Sequence, residues 1–189
     1  MTAYYNEFDP HAAAWLRELI SDGLIADGVV DERSIVDVEP EDVREFTQSH
    51  WFAGIGGWSL ALRLAGWPDD RPVWTGSPPC QPFSTAGCQR GYEDERHLAP
   101  KWIDLIQKCS PPMVYGEQVS SAATGSKWTW LDDLQYAMEA ENYATAAFVL
   151  PATFVGAPHV RQRLWIVGKR MANTDMFGQF QSGCGHDDS

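Results

Sequence analysis

The chain has 189 residues, 44% hydrophobic and 12% aromatic, enough to bury the core of one compact domain. No run of about 18 apolar residues occurs, which excludes a transmembrane helix. The net charge of −12 argues against a generic nucleic-acid binder, which neutralises phosphates with clustered Lys and Arg.

That charge is uneven. Residues 1–50 carry twelve Asp and Glu against three Arg, a balance of −9, whereas residues 51–189 carry only −3. The N-terminal residues lack the basic start and apolar stretch of a signal peptide. The four cysteines, Cys80, Cys88, Cys109 and Cys184, form no CxxC pair and no zinc-binding spacing, so they read as reduced thiols with no metal site. The location expected from these features is cytoplasmic.

In chain order, residue spacing predicts a helix over Ala12–Asp22, strands over Arg33–Val38 and Thr47–Phe52, a helix over Ser59–Ala65 and a strand over Val73–Gly76. A helix over His97–Cys109, a strand over Met113–Tyr115, a helix over Lys127–Ala140 and strands over Ala146–Leu150 and Leu164–Gly168 follow. This alternation is that of an α/β fold, a mostly parallel sheet with helices on both faces. Thr47–Phe52 is polar for a central strand. Residues 1–168 are expected to form a single domain, and 169–189, rich in Gly, Gln, Ser and Asp, a loose tail.

Two segments carry chemistry. Phe52-Ala53-Gly54-Ile55-Gly56-Gly57 joins a strand to a helix-compatible run, and such a glycine turn lets backbone approach a ligand at a helix N-terminus. Taken alone, it is equally a packing device. Ser77-Pro78-Pro79-Cys80-Gln81-Pro82-Phe83-Ser84 is more specific. Its prolines forbid helix and present Cys80 at the end of the Val73–Gly76 strand, where open α/β sheets bind ligands. A rigidly displayed thiol suits a nucleophile, although a lone Cys in such a turn is more often structural.

The two segments are followed in order by Glu117-Gln118-Val119 and by Gly156-Ala-Pro-His-Val-Arg-Gln-Arg163. Together they resemble the ordered motifs of the cytosine-C5 DNA methyltransferases. Asp94-Glu-Arg-His-Leu98 looks like that family's Asp-x-Arg-x-Leu segment. The resemblance covers roughly residues 50–168. It implies a Rossmann-like S-adenosylmethionine-dependent methyltransferase fold, with Cys80 as the thiolate that adds to cytosine C6. Glu117 would hold the ring's N3 and exocyclic amine, Arg163 the base O2, and Arg161 the loop or a phosphate. The glycine turn and Pro78 would border the cofactor. His159 stands where the family commonly has Gln, and Gln118 where it has an Asn that supports the cysteine loop.

The spacing departs from the family. Only twenty residues, Trp58–Ser77, separate Gly57 from Pro78, where the family fits two further strand units. Those units resemble segments placed ahead of the glycine turn. Tyr5-Asn-Glu-Phe-Asp-Pro-His-Ala-Ala-Ala-Trp-Leu16 is similar to the family's Asn-Glu-x-Asp-x-x-Ala motif, with Glu7 as the ribose-binding acid. Arg33-Ser-Ile-Val-Asp-Val38 is similar to its adenine-contacting segment, with Ser34 in place of the usual Asp and Ile35 against the purine. The expected chain order is therefore ribose, adenine, glycine and cysteine strands. In the competing reading, Ala12–Ile20 is the family's closing helix moved to the front. Trp58 and Trp74 suit either the cofactor's flank or the core.

About twenty residues follow Lys169, too few for the family's target-recognition domain. Three functions fit the sequence. One is a DNA methyltransferase, of the kind borne by bacteria and phages for restriction-modification, whose recognition part comes from a partner, a dimer mate or a missing segment. The second is a methyltransferase on RNA or single-stranded nucleic acid. The third is a non-catalytic S-adenosylmethionine-binding module.

Overall fold

The computed structural model describes residues 2–79, 98–123 and 130–172. Seven strands form one sheet: β1 (Ala3–Asn6), β2 (Gly28–Asp31), β3 (Gln48–Trp51), β4 (Val73–Gly76), β5 (Met113–Val119), β6 (Tyr143–Pro151) and β7 (Gln162–Arg170). In space they run β2-β1-β3-β4-β5-β7-β6. The first five are parallel, and β7 lies antiparallel between β5 and β6. The helices are α1 (Pro10–Ser21), α2 (Pro40–Val43), α3 (Gly57–Leu64), α4 (Ala99–Cys109) and α5 (Trp130–Ala140).

This is the mostly parallel α/β sheet that the sequence predicts, with the rearranged order. The two N-terminal strands sit on one side of the glycine strand β3, and β4, which leads to Cys80, sits on the other. One expected strand is misplaced. Arg33–Val38 is not extended; the strand is Gly28–Asp31, and Ile35–Asp37 form a 3-10 turn beyond it. The tail boundary also shifts, because β7 runs on to Arg170.

Alternate residues of each strand feed two cores. On one face Tyr4, Trp51, Trp74, Val114, Leu164 and Ile166 pack with Trp102, Leu105 and Ile106 of α4 and Leu134 and Met138 of α5. Trp74 is therefore a core residue, its ring 5.2 Å from that of Trp51. On the other face Ala3 and Tyr5 pack with Leu16 of α1, Ile25 and Ala53. Asp9 caps α1 by accepting from the amides of His11 and Ala12. The Asn-Glu-x-Asp stretch is thus a strand end running into a capped helix.

Two of the polar side chains of central β3, Gln48 and His50, are hydrogen-bonded, while Ser49 Oγ and the Trp51 indole N–H find no partner among the described residues. His50 Nδ1 lies 2.8 Å from Thr75 Oγ1 and Nε2 lies 3.3 Å from Gln48 Oε1, while Gln48 Nε2 donates to the Pro68 carbonyl. The imidazole also stacks on Tyr5 at 4.9 Å. Burial pushes His50 down to about 3, against the weaker upward pull of Asp69. An unfolded chain takes up that proton near pH 6.5, whereas the native one refuses it until about pH 3. Stability is therefore full above pH 6.5 and falls as pH drops below it, by roughly 1.4 kcal/mol per unit. Denaturant titrations at pH 7 and 5.5 should show this loss in the native chain and a smaller one in His50→Gln.

The register fixes what the sheet offers at its C-terminal edge. Asp31, Asn6, Trp51, Gly76 and Gly116 lie in one row across β2, β1, β3, β4 and β5. One residue further on come Glu7, Phe52, Ser77 and Glu117, so these four segments reach the same edge together. Gly76 has no room for a side chain, since a Cβ there would lie 2.5 Å from the Trp102 ring.

Candidate active site

Two adjoining cavities open along this edge, of about 590 and 540 Å3, and Phe52 and Ser77 line both. The smaller is bounded by the ends of β1 and β2, with Glu7, Ser34, Ile35, Pro79 and Leu98 in its wall. The larger extends from the glycine turn across to β5 and β7. Its wall includes Ala53, Gly54, Ile55, Gly57 and Trp58 on one side and Glu117, Arg161, Arg163 and Trp165 on the other.

The glycine turn owes its shape to backbone that side chains resist. Gly54 and Gly56 have φ of 55° and 78°, and Phe52, with a side chain, has φ of 54°. A left-handed non-glycine residue costs on the order of 1–2 kcal/mol. Hydrogen bonds from Ala53 N–H to the Asn6 carbonyl and from Gly56 N–H to the Ala53 carbonyl hold the turn there. Gly56 packs on Leu16, Leu19 and Ile25, whose side chains would lie 3.2–3.3 Å from an added Cβ. Ile55 projects outward and is 73% exposed.

Glu7 joins the turn to the end of β1. One carboxylate oxygen accepts from Gly54 N–H at 2.6 Å and the other from Asp9 N–H at 2.9 Å. Asn6 reaches the other way, donating to the Arg33 carbonyl at 2.9 Å and so tying down the segment that carries Ser34 and Ile35. Ile35 is buried, and the Ser34 hydroxyl makes no cap hydrogen bond. A carboxylate, a free hydroxyl and the apolar walls of Phe8, Ile35, Phe52 and Leu98 fit a nucleoside: an acid for its hydroxyls and a slot for its base.

At the other cavity, Arg163 forms an ion pair with Glu117, its Nε 2.7 Å from a carboxylate oxygen, with both side chains about four-fifths shielded. The pairing follows from the antiparallel register, in which Glu117 faces Trp165 and Val119 faces Arg163. One Nη of Arg163 donates to the Gln162 carbonyl. The second Glu117 oxygen and the other Nη are unpartnered among the described residues. They offer an acceptor beside a donor, in a wall that is otherwise largely apolar. Arg161 is exposed at the rim, and its carbonyl accepts from Ala152 N–H, closing the loop before β7. His159 is exposed.

Cys80 and Asp94–His97 lie outside the described residues. The approach to Cys80 is described. Pro78 is buried and does not line either cavity, whereas Ser77 and Pro79 do. Gln118 donates from Nε2 to the Pro78 carbonyl at 3.0 Å and accepts Val119 N–H at 2.9 Å. It thereby braces the root of the cysteine loop. The structure thus brings Glu7, Ser34 and Ile35 together in the smaller cavity and Gly54, Ile55, Gly57, Glu117, Arg161 and Arg163 around the larger, with Phe52 and Ser77 shared between them. Sequence reasoning missed Ser77, Leu98 and Trp165 as cavity residues. Ser77 had a signal, being the residue one step past a strand that ends at the ligand edge.

Among the described residues no group of three or more His, Cys, Asp or Glu side chains is placed to hold a metal ion. No helix among them is long and apolar enough to cross a membrane.

Comparisons with known proteins agree with this arrangement. The sequence profile of the family described as C-5 cytosine-specific DNA methylase matches residues 67–182, beginning beyond the glycine turn and taking in β4, β5 and β7. The Type II methyltransferase M.AplI of Arthrospira platensis is 33% identical over 155 residues, covering 64% of this chain and 45% of that protein. The Type II methyltransferase M.AquIA of Picosynechococcus is 32% identical over 111 residues, covering 54% of this chain and 45% of that protein. The chain therefore spans less than half the length of these relatives. Among solved structures, a mutant form of Spodoptera frugiperda DNMT2 superposes over 94% of this chain and 45% of its own, with a TM-score of 0.60 at 16% identity. A putative DNA modification methyltransferase of an E. coli prophage gives 0.56 at 15% identity over 90% of this chain and 47% of its own. At such identities these two likenesses speak for the fold alone. With an α/β sheet of methyltransferase type and a family match over more than half its residues, the chain belongs to the C-5 cytosine-specific DNA methylase family.

Proposed function

We propose that this chain transfers a methyl group from S-adenosylmethionine to C5 of cytosine in DNA, with Cys80 as the attacking thiol. The observation that carries the reading is the meeting of two differently equipped cavities at Phe52 and Ser77, three residues before Cys80. One has the acid and the apolar slot for a nucleoside; the other has the Glu117–Arg163 pair for a polar ring.

S-adenosylmethionine, lying between Glu7, Ile35 and the glycine turn, would supply an electrophilic methyl group. The chain's own residues do the rest. Cytosine C5 is a poor nucleophile until the Cys80 thiolate bonds to C6 and turns the ring enamine-like. Glu117 holds N3 and the exocyclic amine, and Arg163 meets O2, so charge that develops on the ring falls between groups already in place. After methylation, loss of the C5 proton and expulsion of the thiolate restore the aromatic ring. The base must leave the duplex to enter such a cavity.

Target selection comes from beyond the described residues, either from further sequence or from a partner polypeptide. The charge of −12 supports this division, since a chain so acidic needs cationic help to grip phosphates. Incubation of the chain and S-adenosylmethionine with a 5-fluorocytosine oligonucleotide, single- or double-stranded, tests the reading by intact mass. Fluorine cannot leave as a proton does, so a methylated adduct should accumulate on Cys80. Turnover of ordinary cytosine without any trapped mass would refute the covalent route.

A further inference from the structure

Trp58 has one polar handle, its indole N–H, and that donor is committed to the Ser77 hydroxyl at 3.0 Å. The ring is held from elsewhere as well. It stacks over Tyr115 of β5 at 6.2 Å and meets Trp165 of β7 edge-on at 5.5 Å. Trp58 stands in the first turn of α3, one residue past the glycine turn, while Ser77 is the first residue beyond β4. The bond therefore links the two segments whose chemistry has to meet.

The root of the cysteine loop has few other attachments. Ser77 N–H reaches the Trp51 carbonyl only at 3.4 Å, and Pro78 and Pro79 have no N–H to give. Among the described residues, the Ser77 hydroxyl is taken by Trp58 and the Pro78 carbonyl by Gln118. Two side chains, one from α3 and one from β5, thus grip consecutive residues just ahead of Cys80.

We propose that Trp58 is a positioning residue for the transfer reaction, fixing through Ser77 where the chain enters the Cys80 loop. The inference rests on the reading of Cys80 as nucleophile. Trp58→Phe keeps the ring and deletes the donor; Ser77→Ala deletes the acceptor; Ser77→Thr keeps a hydroxyl. Loss of one hydrogen bond that acts on alignment should lower kcat on the order of tenfold in either of the first two. Their double variant should be no slower than each alone, and Ser77→Thr should recover most of the rate. Affinity for S-adenosylhomocysteine, measured by calorimetry, should stay within about twofold throughout, given that the apolar contacts are intact.

A second readout does not need turnover. Alkylation of Cys80 by iodoacetamide, mapped by peptide mass spectrometry, should change severalfold in Trp58→Phe and Ser77→Ala and return in Ser77→Thr. Unaltered kcat and alkylation in Trp58→Phe overturn the proposal, as do losses that multiply in the double variant. A fall in cofactor affinity that matches the fall in kcat also overturns it, making Trp58 a cofactor contact. If the native chain methylates no cytosine substrate, the proposed function fails by itself, and the alkylation arm still decides whether Trp58 governs Cys80.

Discussion

Cys80→Ala is expected to abolish methyl transfer, with a loss at least on the order of ten-thousand-fold, while cofactor affinity stays unchanged. A nucleophile that makes and breaks the only covalent bond between protein and base would have no substitute, and removing such a group elsewhere costs rates of this size or more. Cys109 cannot stand in. It closes α4, just ahead of the start of β5 and hence at the opposite end of the sheet from Glu117, and burial pushes its thiol up rather than down. A radiolabelled-methyl assay alongside calorimetry separates the two quantities. Residual transfer within tenfold of the native rate would mean that another group attacks the ring.

Glu7→Ala should weaken S-adenosylhomocysteine binding by about a hundredfold. The native carboxylate is the one acid that both lines the smaller cavity and bonds the glycine turn, at 2.6 Å from Gly54 N. Its loss removes charge-assisted hydrogen bonds to the ligand's hydroxyls, worth about 1.5–3 kcal/mol each. The same substitution frees Gly54 N–H and slackens the turn. Glu7→Gln tells these apart. An amide oxygen still accepts from Gly54, so its affinity should fall between the native chain and Glu7→Ala. Equal affinity in all three would remove Glu7 from the ligand site and with it the rearranged-motif assignment.

Much of this was legible in the sequence, and the failures have local causes. The strand Val73–Gly76 was readable to the residue, because Pro72 and the Ser-Pro-Pro run bracket it on either side. Thr47–Phe52 was placed in spite of its polarity, which His50 partly resolves through Thr75 on the neighbouring strand and Gln48 on its own, contacts no linear pattern displays. The strand expected at Arg33–Val38 was missed by a few residues. Val29 and Val30 are only two apolar residues between Gly28 and Asp31, whereas Ile35-Val36-Asp37-Val38 looks more like a strand. There the chain turns instead, since Asn6 fixes the Arg33 carbonyl and Asp31 takes the Arg33 guanidinium, ending the strand before Ser34. Ser34 and Ile35 still reach the cavity because the turn delivers them. Strands β5, β6 and β7 extend beyond the predicted bounds, their pairing carried on by residues such as Glu117 and Arg163 whose polarity suggests loop.

The transposed strand order also bears on how the protein is made. Among the described residues, the wall of the smaller cavity comes from residues 6–79 apart from Leu98, and β1–β4 form one side of the sheet as well as the first part of the chain. A ribosome therefore delivers this half of the sheet, with the smaller cavity, before β5, β6 and β7 exist, and its contacts close over short stretches of polypeptide. A ligand that binds this cavity would favour the ordered form of a nascent chain by mass action, so that its supply would act on yield during translation as well as on the finished protein.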